Sequence, residues 1–416
     1  MKKVTLVFLF MALALHSYSL SLDDMINYVE KRGYSNEFKE FEEKRLNIEE
    51  TKIDRIKRDG IVLEANSDYA DYDDSKEFDS TFSATYDFYK YSAEYNNHTG
   101  ETEKELFGVE KDLKDIFFSE RKYKIYIFSH DKKYRLNFKE EKVEEEVIGL
   151  ITLYQKYMDT KLELELKEKL HPKLIKDMEN LKKAVDIGTG TEFDYRYSEM
   201  LVQNSKSDIK QLKDDIEKIK SDFYDLYKVD TTGKDIEKFS ETQNSEEINF
   251  DSIGERDLEN AGFLLEKSKE NYKYSKYDNK WPNLTAGTFY DTVSNGWLVS
   301  LGFRKTIFEY DDESYLYQVE IQELELEKEK QVEKSKNLKK DFENRYFSLA
   351  KELENLKREN LLFEMKYEIY KMRYEQGTDS YINYAEKYDE YIESSIELEK
   401  KRNELNALIY EIKYRR

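Results

Sequence analysis

Residues that most often do chemistry are few and scattered in this chain. It holds no cysteine, which excludes disulfides, thiolate nucleophiles and cysteine metal sites together. The four histidines, His16, His98, His130 and His171, show no metal-ligand spacing and read as surface or boundary side chains. Carboxylates are abundant, 90 Asp and Glu, and at that density close pairs arise by chance, so none stands out as an acid–base couple. No nucleophile elbow and no phosphate loop occurs. The chemistry that remains is charge. A net charge of -21 repels nucleic acid, and an acidic passage would favour cations. The sequence reads as a non-enzyme with no cofactor and no metal.

The elements that carry these charges must be long. Across 416 residues, 38% are hydrophobic and 38% charged, too little apolar matter to fill one compact globule. Elongated helices need only a narrow apolar stripe, and 2 prolines and 14 glycines leave little to interrupt them. The 35 tyrosines and 23 phenylalanines exclude a disordered acidic chain. At the N-terminus Lys2 and Lys3 precede an apolar run from Val4 to Leu15 and the small residues of Ser17-Tyr18-Ser19, the pattern of a secretory signal peptide over 1–19. No later stretch is long enough for a transmembrane helix, so a membrane role would fall to strands.

The rest of the chain repeats itself. A helix capped at Ser21 runs to about Arg58, alternating strand-like text covers Ile61 to Leu113, and a helix from Ser119 to Ile187 stops at Gly188-Thr189. Pro172 predicts a kink in that helix. A further helix reaches Tyr227, and a polar linker occupies 230–254. The order then recurs. A helix over Glu255 to Tyr277, strands over Asn283 to Val293 and Trp297 to Thr306, and a helix from Phe308 to Gln376 lead to a stop at Gly377-Thr378 and a last helix from Ser380 to Ile412. The stops lie 377 − 188 = 189 residues apart, so the repeats are 20–229 and 255–416.

Phe342, Tyr346, Leu349, Leu353, Leu356, Asn360, Phe363, Tyr367, Tyr370 and Tyr374 step by fours and threes, a coiled-coil seam interrupted only by Asn360. Tyr384, Tyr388, Tyr391, Ser395, Leu398, Arg402, Leu405, Ile409 and Ile412 keep that rhythm after the stop, predicting an antiparallel hairpin. Its first arm would extend roughly 100 Å. In the strand text, Trp297, Val299, Leu301 and Phe303 share one apolar face, while Ser300, Gly302 and Arg304 share the other. That is the pattern of a membrane barrel strand, lipid outside and water inside. One chain has too few strands to close a barrel, so an oligomer is expected.

The layout resembles the TolC-type outer membrane factor family, the exit ducts of tripartite efflux pumps and type I secretion systems. The resemblance covers nearly the whole mature chain. It rests on Leu20-Ser21-Leu22-Asp23-Asp24, on Trp281-Pro282-Asn283-Leu284, on Gly188-Thr189-Gly190-Thr191-Glu192-Phe193-Asp194, and on the run from Arg373-Tyr374-Glu375-Gln376-Gly377-Thr378 through Asp379-Ser380-Tyr381-Ile382-Asn383. It implies a mainly helical fold with a small β part: a homotrimer whose coiled-coil hairpins form a periplasmic α-barrel and whose chains each give four strands to a twelve-stranded outer-membrane β-barrel. It further implies an equatorial place for 230–254 and docking of a periplasmic adaptor, bound to an inner-membrane pump, at Gly188, Thr189, Gly377 and Thr378. A closing link between Asp194 and Tyr374, and a gate ring at Asn383 and Glu386, follow from the same resemblance. Asn383 stands where the family expects a carboxylate, and Asp379 at a position where arginine occurs in the family, so the ring and a second link depart from the pattern. The alternatives are a secreted coiled-coil spacer or adhesin and a helical-armed periplasmic chaperone. Neither requires lipid-facing strands.

Overall fold

In a computed structural model of the chain, residues 19–54, 62–72, 75–86, 88–96, 99, 101–114, 119–239, 248–305 and 312–415 are described. The signal peptide expected over 1–19 falls outside them apart from Ser19, and so do positions 240–247 of the linker. The chain forms two compact units, Met1–Lys39 with Phe138–Arg256 and Glu333–Arg416, and Glu40–Asn137 with Asp257–Val332.

The first unit is built on helices. They are α1 (Leu22–Arg32), the start of α2 (Tyr34–Asp54), most of α3 (Glu120–Asp186), α4 (Glu192–Tyr227), and large parts of α6 (Asp312–Glu375) and α7 (Tyr381–Tyr414). Ser21 caps α1 through a capping box with Asp24, as its sequence position predicts. Both carboxylate oxygens of Glu146 accept from the first free amides of α2, Tyr34 N at 3.1 Å and Ser35 N at 2.8 Å. The core packs Met25, Ile26 and Val29 of α1 against Leu150 and Tyr154 of α3 and Phe223 of α4. The linker closes onto this core: strand β1 (Ser19–Leu20) pairs in parallel with β6 (Asp235–Ile236), and Ile236 and Phe239 are buried there. Arg256 and Glu144 form a nearly buried ion pair at 2.6 Å. The helix α3 continues through Pro172, where the sequence predicts a kink.

The α6–α7 hairpin carries the expected seam. Phe342, Leu349, Leu353, Leu356 and Tyr367 are buried, and Asn360, the one polar break, donates to Ser395 Oγ at 2.8 Å. On α7 the predicted seam holds less well, since Arg402 is exposed while Ile392, Ile396 and Ala407 are buried. The reason is a second neighbour. Helix α7 also meets α3, through Lys400 to Glu163 and Asn403 to Asp159, both at 2.7 Å, so one heptad stripe cannot describe it.

The second unit holds one antiparallel sheet, ordered β2 (Val62–Tyr72), β3 (Ser75–Tyr86), β4 (Tyr89–Asn96), β5 (Glu101–Asp112), β7 (Asn283–Asp291) and β8 (Gly296–Arg304). The resemblance implied four strands per chain; the sheet has six, four from the first repeat and two from the second. Both extra strands lie in the alternating text read over Ile61 to Leu113, where polar residues leave the strand boundaries open in sequence. On β2 and β3, Ser67 faces Ser80 and Asp68 faces Asp79. The helical part of this unit, most of α5 (Glu255–Lys280) with parts of α2, α3 and α6, is held by charge, with Arg135 of α3 reaching Glu42 and Glu49 of α2 at 2.8 and 2.7 Å. Tyr123 stacks on Tyr274, ring centroids 3.9 Å apart, and burial pushes both phenols up to about 12.

Candidate functional site

Two regions gather the residues singled out by sequence: the helical turns of the first unit and the sheet of the second. The turns are built alike. Gly188 and Gly377 have φ of +77° and +69°, conformations that glycine adopts without the Cβ penalty. Gly188 N donates to Val185 O and Gly377 N to Tyr374 O, each at 2.9 Å. Thr189 N donates to Ala184 O at 2.9 Å and Thr378 N to Arg373 O at 3.0 Å. Both threonine hydroxyls reinforce the same carbonyls. This is the Schellman stop. Three residues past each glycine, Thr191 and Ser380 cap the next helix by accepting from Asp194 N and Asn383 N. Every one of these partners differs by 189 between the turns, so the duplication read from sequence extends to individual hydrogen bonds. Gly188, Thr189, Gly377 and Thr378 are all exposed.

Next to the turns the four helices meet in a tyrosine cluster. Leu181 of α3, Tyr195 and Tyr197 of α4, Tyr367 and Tyr374 of α6, and Tyr381 and Tyr384 of α7 pack together. Tyr374 stacks on Tyr384 at 5.1 Å and meets Tyr381 edge-on at 5.8 Å. Asp194 lies close enough to raise the Tyr374 pKa, behind burial and Asp177. Among the described residues no hydrogen bond joins Asp194 to Tyr374; its carboxylate accepts from Thr191 Oγ1 at 2.6 Å. Asn383 is exposed and donates to Asp379 at 2.7 Å. Glu386 is exposed and lines a cavity of about 410 Å³ between α3, α4 and α7, together with Asp177, Tyr197, Tyr381 and Asp389.

Sequence reasoning missed several members of this region, Tyr195, Tyr197 and Lys173 among them. Lys173 places its ammonium 3.3 Å from the Tyr388 ring centroid and 5.0 Å from those of Tyr367 and Tyr384, and donates to Tyr367 Oη at 3.1 Å. Burial lowers its pKa to about 8 against the opposing pull of Asp177. Burial likewise pushes the Asp177 carboxyl up, opposed by Lys173 and Lys176. A lysine at an unremarkable spacing in a lysine-rich helix leaves no sequence signal. The tyrosines around it were legible as seam positions.

In the sheet, strand register places Trp297, Val299, Leu301 and Phe303 on one face, between 70% and 81% exposed. The same face continues across the other strands through Tyr290, Phe107 and Val109, Tyr89 and Tyr91, Phe82 and Ala84, and Leu63 and Ala65. The opposite face carries Arg304, Ser300, Glu110, Lys90, Ser92, Glu94, Thr81, Ser83 and Glu64. Its one large buried apolar side chain among the described residues, Phe289, covers the gaps left by Gly108 and Gly287. An outward apolar face this wide is costly in water, and an apolar surroundings removes that cost.

No protein-family model matches the sequence, and no curated protein does. Solved structures do. The outer membrane protein VceC from Vibrio cholerae is 12% identical and covers 94% of this chain and 95% of its own, with a TM-score of 0.69. CusC, studied for folding and transmembrane channel formation, is 12% identical over 94% and 91%, TM-score 0.70. The Neisseria gonorrhoeae MtrE outer membrane channel, in its open state, is 13% identical over 95% and 89%, TM-score 0.62. This is the TolC-type outer membrane channel fold. It is the fold that the turn and strand motifs implied, and it is matched over almost the full length of both partners. Within that TolC-type fold, the two Gly-Thr stops and the apolar-faced sheet are the features with chemistry to offer.

Proposed function

We propose that the chain is an outer-membrane exit duct, which passively conducts cargo delivered by an inner-membrane pump through a periplasmic adaptor, in a tripartite efflux pump or a type I secretion system. The observation that carries this reading is the sheet: one face with large apolar side chains on every strand, opposite a polar one, ending among the described residues in edge strands that only further copies of the chain can satisfy in lipid. The TolC-type fold supports it. Three copies make the duct, with the Trp297, Val299, Leu301 and Phe303 face against outer-membrane lipid and the helical part in the periplasm, 230–254 forming its equatorial segment. The exposed Gly188-Thr189 and Gly377-Thr378 turns dock the adaptor. Their matched hydrogen bonding offers two equivalent surfaces per chain to a repeating partner. Asp194, Tyr374, Asn383 and Glu386 lie beside those turns and serve as the gate. No nucleic acid takes part. Fractionation on a density gradient, followed by gels of unheated and heated samples, tests the reading. A trimer in the outer-membrane fraction that collapses to monomer on heating is expected. A soluble periplasmic monomer overturns it.

A further inference from the structure

We infer that all six strands of each copy belong to the barrel wall, so that three copies close an eighteen-stranded barrel in which the β8 edge of one copy pairs with the β2 edge of the next. The inference rests on the trimeric duct proposed above and adds the makeup of its wall. Three observations carry it. First, β2 and β3 are full members of the sheet. Eleven residue pairs join β2 to β3, from Val62↔Thr85 to Tyr72↔Ser75, and eight join β3 to β4, from Asp79↔Asn96 to Tyr86↔Tyr89. A twelve-stranded barrel would have to take β4 from β3 to pair it with a neighbouring copy, discarding that eight-pair ladder and leaving a hairpin with open edges.

Second, the apolar face does not stop at β4. Phe82 and Ala84 lie beside Ala93 and Tyr91, and Leu63 and Ala65 lie beside Ala84 and Phe82. Leu63, Phe82 and Tyr86 are 63%, 41% and 47% exposed, like the apolar residues of β5 and β8. Ser67 and Ser80, a polar pair on this face, are satisfied internally, with the two hydroxyl oxygens 3.1 Å apart. Third, the opposite face of the hairpin is acidic and polar, with Glu64, Asn66, Asp68, Asp79, Thr81 and Ser83, which suits a water-filled bore. Strand direction alternates throughout the sheet, so β8 and the next copy's β2 meet antiparallel and no parallel pair is needed.

Barrel diameter grows roughly linearly with strand number, so eighteen strands give about 1.5 times the diameter of twelve, in the range where barrels leave an open aqueous channel. The outer exit is then wide and acid-lined, and selection of cargo by size falls to the helical end.

The absence of native cysteine makes the edge directly testable. Double variants pair Asn66→Cys on β2 with Leu298→Cys, Ser300→Cys or Arg304→Cys on β8, all on the polar face. A second series replaces Asn66→Cys with Ser92→Cys on β4. Membranes are oxidised and run on denaturing, non-reducing gels, with unheated gels in parallel to confirm trimers. Disulfide-linked oligomers from at least one Asn66 pair and from no Ser92 pair are expected. Linkage in the Ser92 series, or in neither series while trimers persist, overturns the eighteen-stranded wall. Loss of the trimer already in the cysteine-free parent would instead refute the duct itself.

Discussion

Replacing Gly377 separates what this turn does for the fold from what it does for a partner. A Cβ built on Gly377 meets no atom within 4 Å, so a side chain there has open space and its cost is confined to the backbone. That backbone holds φ of +69°, which an L-residue adopts at a penalty of about 1–2 kcal/mol. The hydrogen bonds of the stop come from main-chain amides and the Thr378 hydroxyl, and a Cβ leaves them in place. Gly377→Ala and Gly377→Lys should therefore lower stability by the same amount, about 1–2 kcal/mol each, with trimers intact. They should part in function. The Ala variant should export a fluorescent substrate nearly as well as the parent, and the Lys variant should fail, because a charged side chain would stand on the proposed docking surface. Denaturant unfolding gives the first comparison and substrate accumulation in cells the second. Equal export by the two variants would refute docking at this turn. A loss well beyond about 2 kcal/mol in the Ala variant would refute the open geometry.

Gly108→Ala should lower the temperature at which heated trimers collapse, since its Cβ would overlap the Thr288 carbonyl oxygen and stand 2.6 Å from the Phe289 ring, a cost of about 1–3 kcal/mol or more. Leu301→Arg should reduce recovery in the outer-membrane fraction, because a charge on the proposed lipid face would cost about 2–4 kcal/mol near the midplane. Lys173 has a folded pKa of about 8 against an ordinary 10.5, so between those values the unfolded state binds more protons and stability rises with pH. Lys173→Met should remove that rise, read as the difference in thermal midpoint between parent and variant from pH 8 to the ordinary tyrosine value of 10.0. Glu386→Gln should lower the cation-to-anion permeability ratio in single-channel recordings, and an unchanged ratio would remove Glu386 from the gate.

The helical part was legible because its signals are local. A glycine at positive φ followed by threonine, and a Ser or Thr cap three residues past each glycine, mark both turns without any tertiary knowledge. The seam through Phe342 and Tyr367 follows from period alone. What depended on several neighbours at once was not legible. Helix α7 touches both α6 and α3, so Arg402 sits on its predicted stripe and is exposed. The β2–β3 hairpin carries its apolar face as Leu63, Ala65, Phe82 and Ala84 with Ser67 and Ser80 between, and only the register shows that these polar residues satisfy each other. Lys173 is invisible for the same reason: three tyrosine rings from two helices make its environment, and none lies near it in sequence.

The claim beneath the whole account is that copies of this chain enclose a water-filled path through a lipid bilayer. Detergent-extracted oligomer added to a planar bilayer should give discrete, cation-preferring single-channel steps, absent when the sample is heated to monomer first. A protein that leaves the bilayer silent, or conducts equally after dissociation, would contradict it.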